Sequence, residues 1–101
     1  MGTFTRVADT ADLKPGEGTV VEVAGKTLAL FNVDGTFYAL DNTCLHRGGP
    51  LGEGELEGAV VTCPWHGWRF DVTTGACELT PEAKVPTYPV KVEGQDVYVG
   101  F

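Results

Sequence analysis

Short runs of apolar and β-branched residues recur along this chain, and turn-forming residues separate them. Two such runs, residues 19–23 and 27–33, are joined across Ala24-Gly25 and predict a β-hairpin. The Asp34-Gly35 pair then predicts a tight turn into another strand at residues 36–40. No apolar window keeps the roughly 3.6-residue period of an α-helix over about ten residues. The pattern therefore predicts an antiparallel β-meander.

The rest of the chain has the same short strands and turns. Strands are predicted at residues 3–7, within 55–62 around a Glu57-Gly58 turn, and at 68–72, 90–92 and 97–101. One helical turn is predicted at residues 11–14, and the proline-containing segment 76–89 is predicted to be a loop. Strands this short are stable only when they close into a sandwich or barrel. We therefore expect an all-β fold, an antiparallel β-sandwich or barrel.

The length of the chain limits the number of domains, and its charge argues against some kinds of partner. With 101 residues, the chain has room for one core and a single domain. Its hydrophobic fraction of 43% and charged fraction of 21% are typical of a soluble globular protein. Fourteen acidic residues against seven basic ones give a formal charge of −7. Nucleic acids and anionic membranes select basic surfaces, so neither is an expected partner.

The cellular compartment is predicted from the N-terminus and the cysteines. No basic region followed by an apolar run opens the sequence, and no apolar stretch reaches membrane-spanning length. The chain has three cysteines, and an odd thiol count without a secretion signal is typical of a reducing compartment. We expect a cytoplasmic protein.

Two short motifs, Cys44-x-His46 and Cys63-x-x-His66, concentrate the metal-binding chemistry of the chain. They contain both of its histidines, and residues 47–62 separate them. Two thiolates and two imidazoles could bind zinc, or a [2Fe–2S] cluster in which histidines replace two cysteines on one iron. Structural zinc sites usually pair Cys-x₂₋₄-Cys with His-x₃₋₅-His, and Cys-x-His suits them poorly. The spacing therefore favours the cluster.

These motifs and their neighbours resemble the two cluster-binding boxes of Rieske proteins. The first box corresponds to residues 44–51 (CLHRGGPL) and the second to residues 63–71 (CPWHGWRFD). The segment at residues 34–40 (DGTFYAL) and the Thr74-Gly75 pair are also similar to the family. Because the chain is short and has no apolar stretch of membrane-spanning length, it most resembles the soluble Rieske-type ferredoxins.

The resemblance implies a ligand set and one [2Fe–2S] cluster of Rieske type. Cys44 and Cys63 would bind one iron as thiolates, and His46 and His66 would bind the other through a ring nitrogen. Cys77 would remain outside the set, as a buried small apolar residue.

The resemblance also implies a domain organisation and a role. A cluster-binding subdomain, about residues 43–80, would be inserted in a single Rieske domain of residues 1–101. The protein would be an electron carrier, not an enzyme. It would be a monomer that passes single electrons from a flavin-containing reductase to the terminal oxygenase of an aromatic-ring dioxygenase system.

Two other members of the same fold provide alternatives. The small subunit of an assimilatory NAD(P)H nitrite reductase has a similar size, but some of those subunits lack the cluster ligands, which this chain keeps. The Rieske domain of an oxygenase itself would require a second iron bound by two further histidines and a carboxylate. The chain has only two histidines, so it cannot supply that site.

Departures from the respiratory Rieske proteins predict a low reduction potential. Those proteins carry an extra cysteine in each box and form a disulfide, where this chain has Gly49 and Trp65. They also have a serine and a tyrosine that donate hydrogen bonds to sulfur, where this chain has Trp68 and Phe70. Such hydrogen bonds favour the reduced cluster. We therefore expect a potential nearer to about −150 mV than to about +300 mV.

Overall fold

The fold consists of short antiparallel strands joined by tight turns. A computed structural model describes residues 4–23, 25–42, 51–64, 67–78 and 84–100. Within these ranges there are ten strands: β1 (Phe4–Asp9), β2 (Gly18–Val23), β3 (Lys26–Val33), β4 (Thr36–Asp41), β5 (Glu55–Glu57), β6 (Val60–Thr62), β7 (Arg69–Asp71), β8 (Thr87–Tyr88), β9 (Val90–Glu93) and β10 (Asp96–Gly100). Two 3₁₀ turns, Thr10–Asp12 and Leu51–Glu53, accompany them. The predicted all-β class is confirmed.

The strands form three sheets, and every strand pairing is antiparallel. The first sheet has the order β1-β10-β9, the second β2-β3-β4-β8 and the third β5-β6-β7. The third sheet falls wholly within residues 43–80. Nowhere in the described ranges does a helix have the length and apolar character needed to cross a bilayer.

The second sheet is the middle layer of the molecule, because its two faces belong to two different cores, where the length of the chain predicted one. Leu28 and Leu30 of β3 join a core with residues of the first sheet, including Ala8, Val97 and Val99. Ala29 and Phe31 join a core with residues of the third sheet, including Val61 and Phe70. Side chains of a strand alternate between faces, so a strand buried on both sides reads as a continuous apolar run. This explains the run Leu28–Phe31.

The turn predicted at Asp34-Gly35 is confirmed. Both residues have positive φ, 54° for Asp34 and 94° for Gly35. Val33 and Thr36 are paired on either side of the turn. A two-residue hairpin turn with two positive φ angles matches the twist of the strands that it joins.

Two local predictions differ from the structure. The helical turn lies at Thr10–Asp12 and not at residues 11–14, because the Asp9 carboxylate accepts a hydrogen bond from Ala11 N (2.8 Å) and caps an earlier start. The segment 76–89, predicted to be a loop, contains β8. Prolines flank this strand and cannot donate hydrogen bonds, but at the sheet edge their carbonyl groups still accept them, as Pro86 O does from Asp41 N (2.9 Å).

Candidate metal centre

Cys63 is positioned by the hairpin of β6 and β7. It directly follows β6, and its backbone N–H donates a hydrogen bond to the Trp68 carbonyl at 2.6 Å. Gly67 has a φ of 74°, in the region that favours glycine, which lets the chain turn back into β7. The Cys63 side chain is only 1% exposed. The second box is therefore held at its base by a short backbone hydrogen bond.

The two ends of the segment 43–50 are also joined. Leu51 N–H donates to the Asn42 carbonyl at 2.7 Å, and Gly52 N–H donates to Asn42 Oδ1 at 2.8 Å. Leu51 is fully buried in the same core cluster as Cys63. The chain enters and leaves the first box at one place, next to the hydrophobic core.

Gly54, three residues after the first box, packs against the end of β6, directly before the second box. Its α-carbon lies so close to β6 that an added β-carbon would overlap the Thr62 carbonyl oxygen and lie 3.1 Å from Val61 Cγ2. Thr62 immediately precedes Cys63. A cavity of about 320 Å³ opens beside this contact, and it is lined by residues of both segments, including Glu53, Thr62, Cys63 and Gly67.

Of the four predicted ligands, the structure describes Cys63 alone. Cys44, His46 and His66 lie outside the described residues, as do Gly49 and Trp65. The described residues contain no group of three or more histidine, cysteine or acidic side chains that could hold a metal. What is described fits an iron–sulfur cluster, since a thiol shielded by an apolar core is a soft ligand protected from water.

The second described thiol, that of Cys77, is buried in the hydrophobic core. It forms an isolated bridge with Phe70 of β7, and it is 1% exposed in the same core cluster as Cys63. No disulfide joins these two cysteines. The prediction that Cys77 is a buried small residue is confirmed.

Arg69, on β7, is the basic residue of the second box. Its guanidinium group lies 3.5 Å from Glu78 Oε1 and 3.8 Å from Glu57 Oε1, and all three side chains are exposed. Surface ion pairs of this kind contribute little to stability. One arginine faces two glutamates here, so this group of three side chains keeps a net negative charge.

Asn42, Gly52 and Gly54 were not identified by sequence reasoning as part of the site. The available signal is the Gly52-x-Gly54 spacing directly after the first box, since glycines are common where the backbone must approach another segment closely.

Comparison with known proteins identifies the family. The family model of the Rieske [2Fe–2S] domain matches residues 3–89. The ferredoxin component of a naphthalene 1,2-dioxygenase system from Pseudomonas aeruginosa is 44% identical over 89 residues, which cover 87% of this chain and 86% of that protein.

Solved structures agree with this assignment. The ferredoxin of carbazole 1,9a-dioxygenase from Nocardioides aromaticivorans IC177 superimposes with a TM-score of 0.89 at 35% identity, over 96% of both chains. A chain from a complex of reduced oxygenase and oxidised ferredoxin of carbazole 1,9a-dioxygenase gives a TM-score of 0.86 at 35% identity, over 95% of this chain and 91% of that one.

These relatives are ferredoxin components, which favours the carrier over the nitrite reductase subunit. The family implies one [2Fe–2S] cluster of Rieske type, and the buried thiol of Cys63 is consistent with it. The chain therefore belongs to the Rieske [2Fe–2S] family, as a ferredoxin that carries electrons and does not itself convert a substrate.

Proposed function

We propose that this ferredoxin passes single electrons from a flavin-containing reductase to the terminal oxygenase of a ring-hydroxylating dioxygenase system that acts on an aromatic compound. The observation that carries the proposal is similarity over most of the chain, in sequence and in fold, to ferredoxin components of such systems. A relative of the same fold has been solved together with its oxygenase.

The proposed ligand set is Cys44 and Cys63 on one iron and His46 and His66 on the other. Two observations support it. The Cys63 thiol lies in an apolar environment at the base of the second box. The residues that flank the first box are joined through Asn42, and Gly54, three residues after the box, packs on the carbonyl of Thr62, the residue before Cys63.

The cluster, when bound, supplies reversible storage of one electron. Two thiolates balance the charge of the oxidised centre, whereas four would leave a dianion that resists reduction. Trp68 and Phe70 have no hydroxyl group, and Phe70 is fully buried in the core beside Cys63. We therefore propose that the potential lies at the low end of the Rieske range, near about −150 mV.

The domain organisation, oligomeric state and cellular compartment are also part of the proposal. We propose that residues 1–101 form one Rieske domain, with a cluster-binding subdomain of about residues 43–80 that includes the third sheet. We propose a monomeric protein in the cytoplasm, since an odd number of thiols is typical of a reducing compartment.

Reconstitution tests this function directly. The purified holoprotein is mixed with a dioxygenase reductase, NADH, a terminal oxygenase and its aromatic substrate, and the hydroxylated product is quantified. Product should form only when the ferredoxin is present, and its rate should rise with ferredoxin concentration. If the reductase fails to reduce the ferredoxin, or the reduced ferredoxin fails to donate to any oxygenase of this class, the proposal is wrong.

A further inference from the structure

We propose that Asn42, Gly52 and Gly54 act together as a joint that sets the spacing between the two cluster-binding boxes, and that they are positioning residues for the cluster. The inference rests on the proposed ligand set, in which each box provides one cysteine. It assigns a role to three residues that are not themselves ligands.

Asn42 forms the first part of the joint. It precedes Cys44 by two positions, and its backbone and side chain bind the other end of the same segment. Its carbonyl oxygen accepts from Leu51 N–H (2.7 Å), and its Oδ1 accepts from Gly52 N–H (2.8 Å). Its own N–H donates to Thr27 O (3.2 Å). Asn42 thereby anchors both ends of the first box to the central sheet.

Gly52 closes the joint against the neighbouring strand. A β-carbon at this position would lie 2.6 Å from Val20 Cγ2, 2.7 Å from Thr19 O and 3.0 Å from Asn42 Oδ1. Any larger residue would therefore push the 3₁₀ turn away from β2 and lengthen the hydrogen bond to Asn42.

Gly54 connects the 3₁₀ turn at the end of the first box to the strand that precedes the second box. Its N–H donates to Leu51 O (3.0 Å), and its α-carbon packs directly on the Thr62 carbonyl group. Thr62 is the last residue of β6 and directly precedes Cys63, so this contact helps to fix the position of Cys63. From Asn42 to Cys63, the joint is an unbroken path of hydrogen bonds and close backbone contacts.

A cluster shared between two boxes requires the boxes to keep a fixed separation. Residues that hold metal ligands in place affect metal retention by about 10–100-fold when they are changed, without touching the metal. The joint should therefore control how firmly the cluster is held and the geometry at its irons. Ordinary stabilising residues elsewhere in the fold should not.

The test compares Asn42→Ala and Gly54→Ala with the wild-type holoprotein. Iron release to a chelator and the EPR spectrum of the dithionite-reduced protein are measured well below the Tm of each variant. We expect both variants to release iron about tenfold faster than wild type or more, and to shift or broaden the EPR lines. Asn42→Asp keeps an acceptor oxygen in reach of Gly52 N and should restore slow release.

Two matched controls separate positioning from general destabilisation. Asn32 is 4% exposed, and its side chain also links two backbone segments, through Leu13 O (2.8 Å) and Gly35 N (2.7 Å). Asn32→Ala should lower the Tm and leave the EPR spectrum unchanged. Gly100→Ala should behave in the same way, since the atoms nearest to its β-carbon would be those of the Phe4 ring and Pro89, which belong to neither box.

Different results would contradict the joint and the proposed ligand set. Iron release and EPR spectra that match wild type in Asn42→Ala and Gly54→Ala would overturn the joint. So would equal effects in Asn32→Ala, because the loss would then follow stability alone. If Asn42→Ala does not fold, Asn42→Gln replaces it, since its amide oxygen is displaced by one methylene group. A wild-type protein without a Rieske EPR signal would instead contradict the proposed ligand set.

Discussion

At the scale of single residues, burial does not distinguish the two described cysteines. Cys63 and Cys77 are each 1% exposed, and both belong to the same core cluster. What separates them is sequence context, because Cys63 opens a Cys-x-x-His motif and Cys77 does not. The proposal that Cys63 is a ligand and Cys77 is not therefore rests on the motif and not on the accessibility of the two thiols.

Substitution of the two thiols should give opposite results. Cys63→Ala should abolish the visible absorption and EPR spectrum of the cluster, because one of the two thiolate ligands of the proposed set is lost. Cys77→Ala should keep both spectra and lower the free energy of unfolding by about 1–2 kcal/mol, the cost of a small cavity. Iron content, absorption and urea unfolding check the pair. Loss of the cluster in Cys77→Ala would show that this thiol is not merely structural.

Trp68 and Phe70 lack the hydroxyl groups that the respiratory Rieske proteins have at these positions, so restoring one should change the reduction potential. Phe70→Tyr introduces a hydroxyl group at the position where the respiratory proteins have a tyrosine, and a hydrogen bond to sulfur favours the reduced cluster. The potential measured by protein-film voltammetry should rise. Phe37→Tyr, in the other core, is the control and should leave the potential unchanged. A potential that stays constant or falls in Phe70→Tyr would contradict the explanation.

At the scale of elements, the sequence could predict strands wherever turn residues separate them. Asp34-Gly35 identified the hairpin of β3 and β4 because few residues accept two successive positive φ angles. The short strand β8 could not be predicted, because its pairing depends on β4, which is distant in sequence. The joint around Asn42 could not be predicted for the same reason. Its contacts with β2 and β6 join residues that are distant in sequence, and only the Gly52-x-Gly54 spacing indicates them.

The Asp34-Gly35 turn offers a clean probe of backbone strain. A β-carbon at Gly35 would meet no atom within 4 Å, so Gly35→Ala changes only the cost of a positive φ. The free energy of unfolding should fall by about 1–2 kcal/mol. Asp34→Asn should have almost no effect, since asparagine also suits this turn. Chemical denaturation measures both, and an unchanged Gly35→Ala would mean that the turn relaxes at no cost.

At the scale of the whole molecule, the three layers place the candidate centre on a rigid base. The third sheet packs on a central sheet whose other face is buried against the first sheet. Cys63 belongs to the core between the second and third sheets, and the core of the first sheet lies on the other side of the second sheet. The sequence predicted β3 as a strand of a hairpin, but not its burial on both faces or the order of the layers, which depend on pairings between distant strands.

The formal charge of −7 predicts that encounter with a basic partner is electrostatically steered. The second-order rate of reduction by the reductase, measured by stopped flow, should fall about tenfold as salt rises from low to physiological concentration. Glu55→Gln, on β5, should slow the reaction at low salt more than Glu93→Gln, on the first sheet. A rate independent of salt would exclude steering by the acidic surface.

The ligand set is the central claim, and the two histidines of the chain allow a direct test. Protein labelled with nitrogen-15 only in histidine is reduced with dithionite and measured by EPR and electron–nuclear double resonance. We predict an average g value below that of the free electron, with strong coupling to two histidine nitrogens, those of His46 and His66. Coupling to one histidine or none, or a colourless protein that contains zinc, would contradict it.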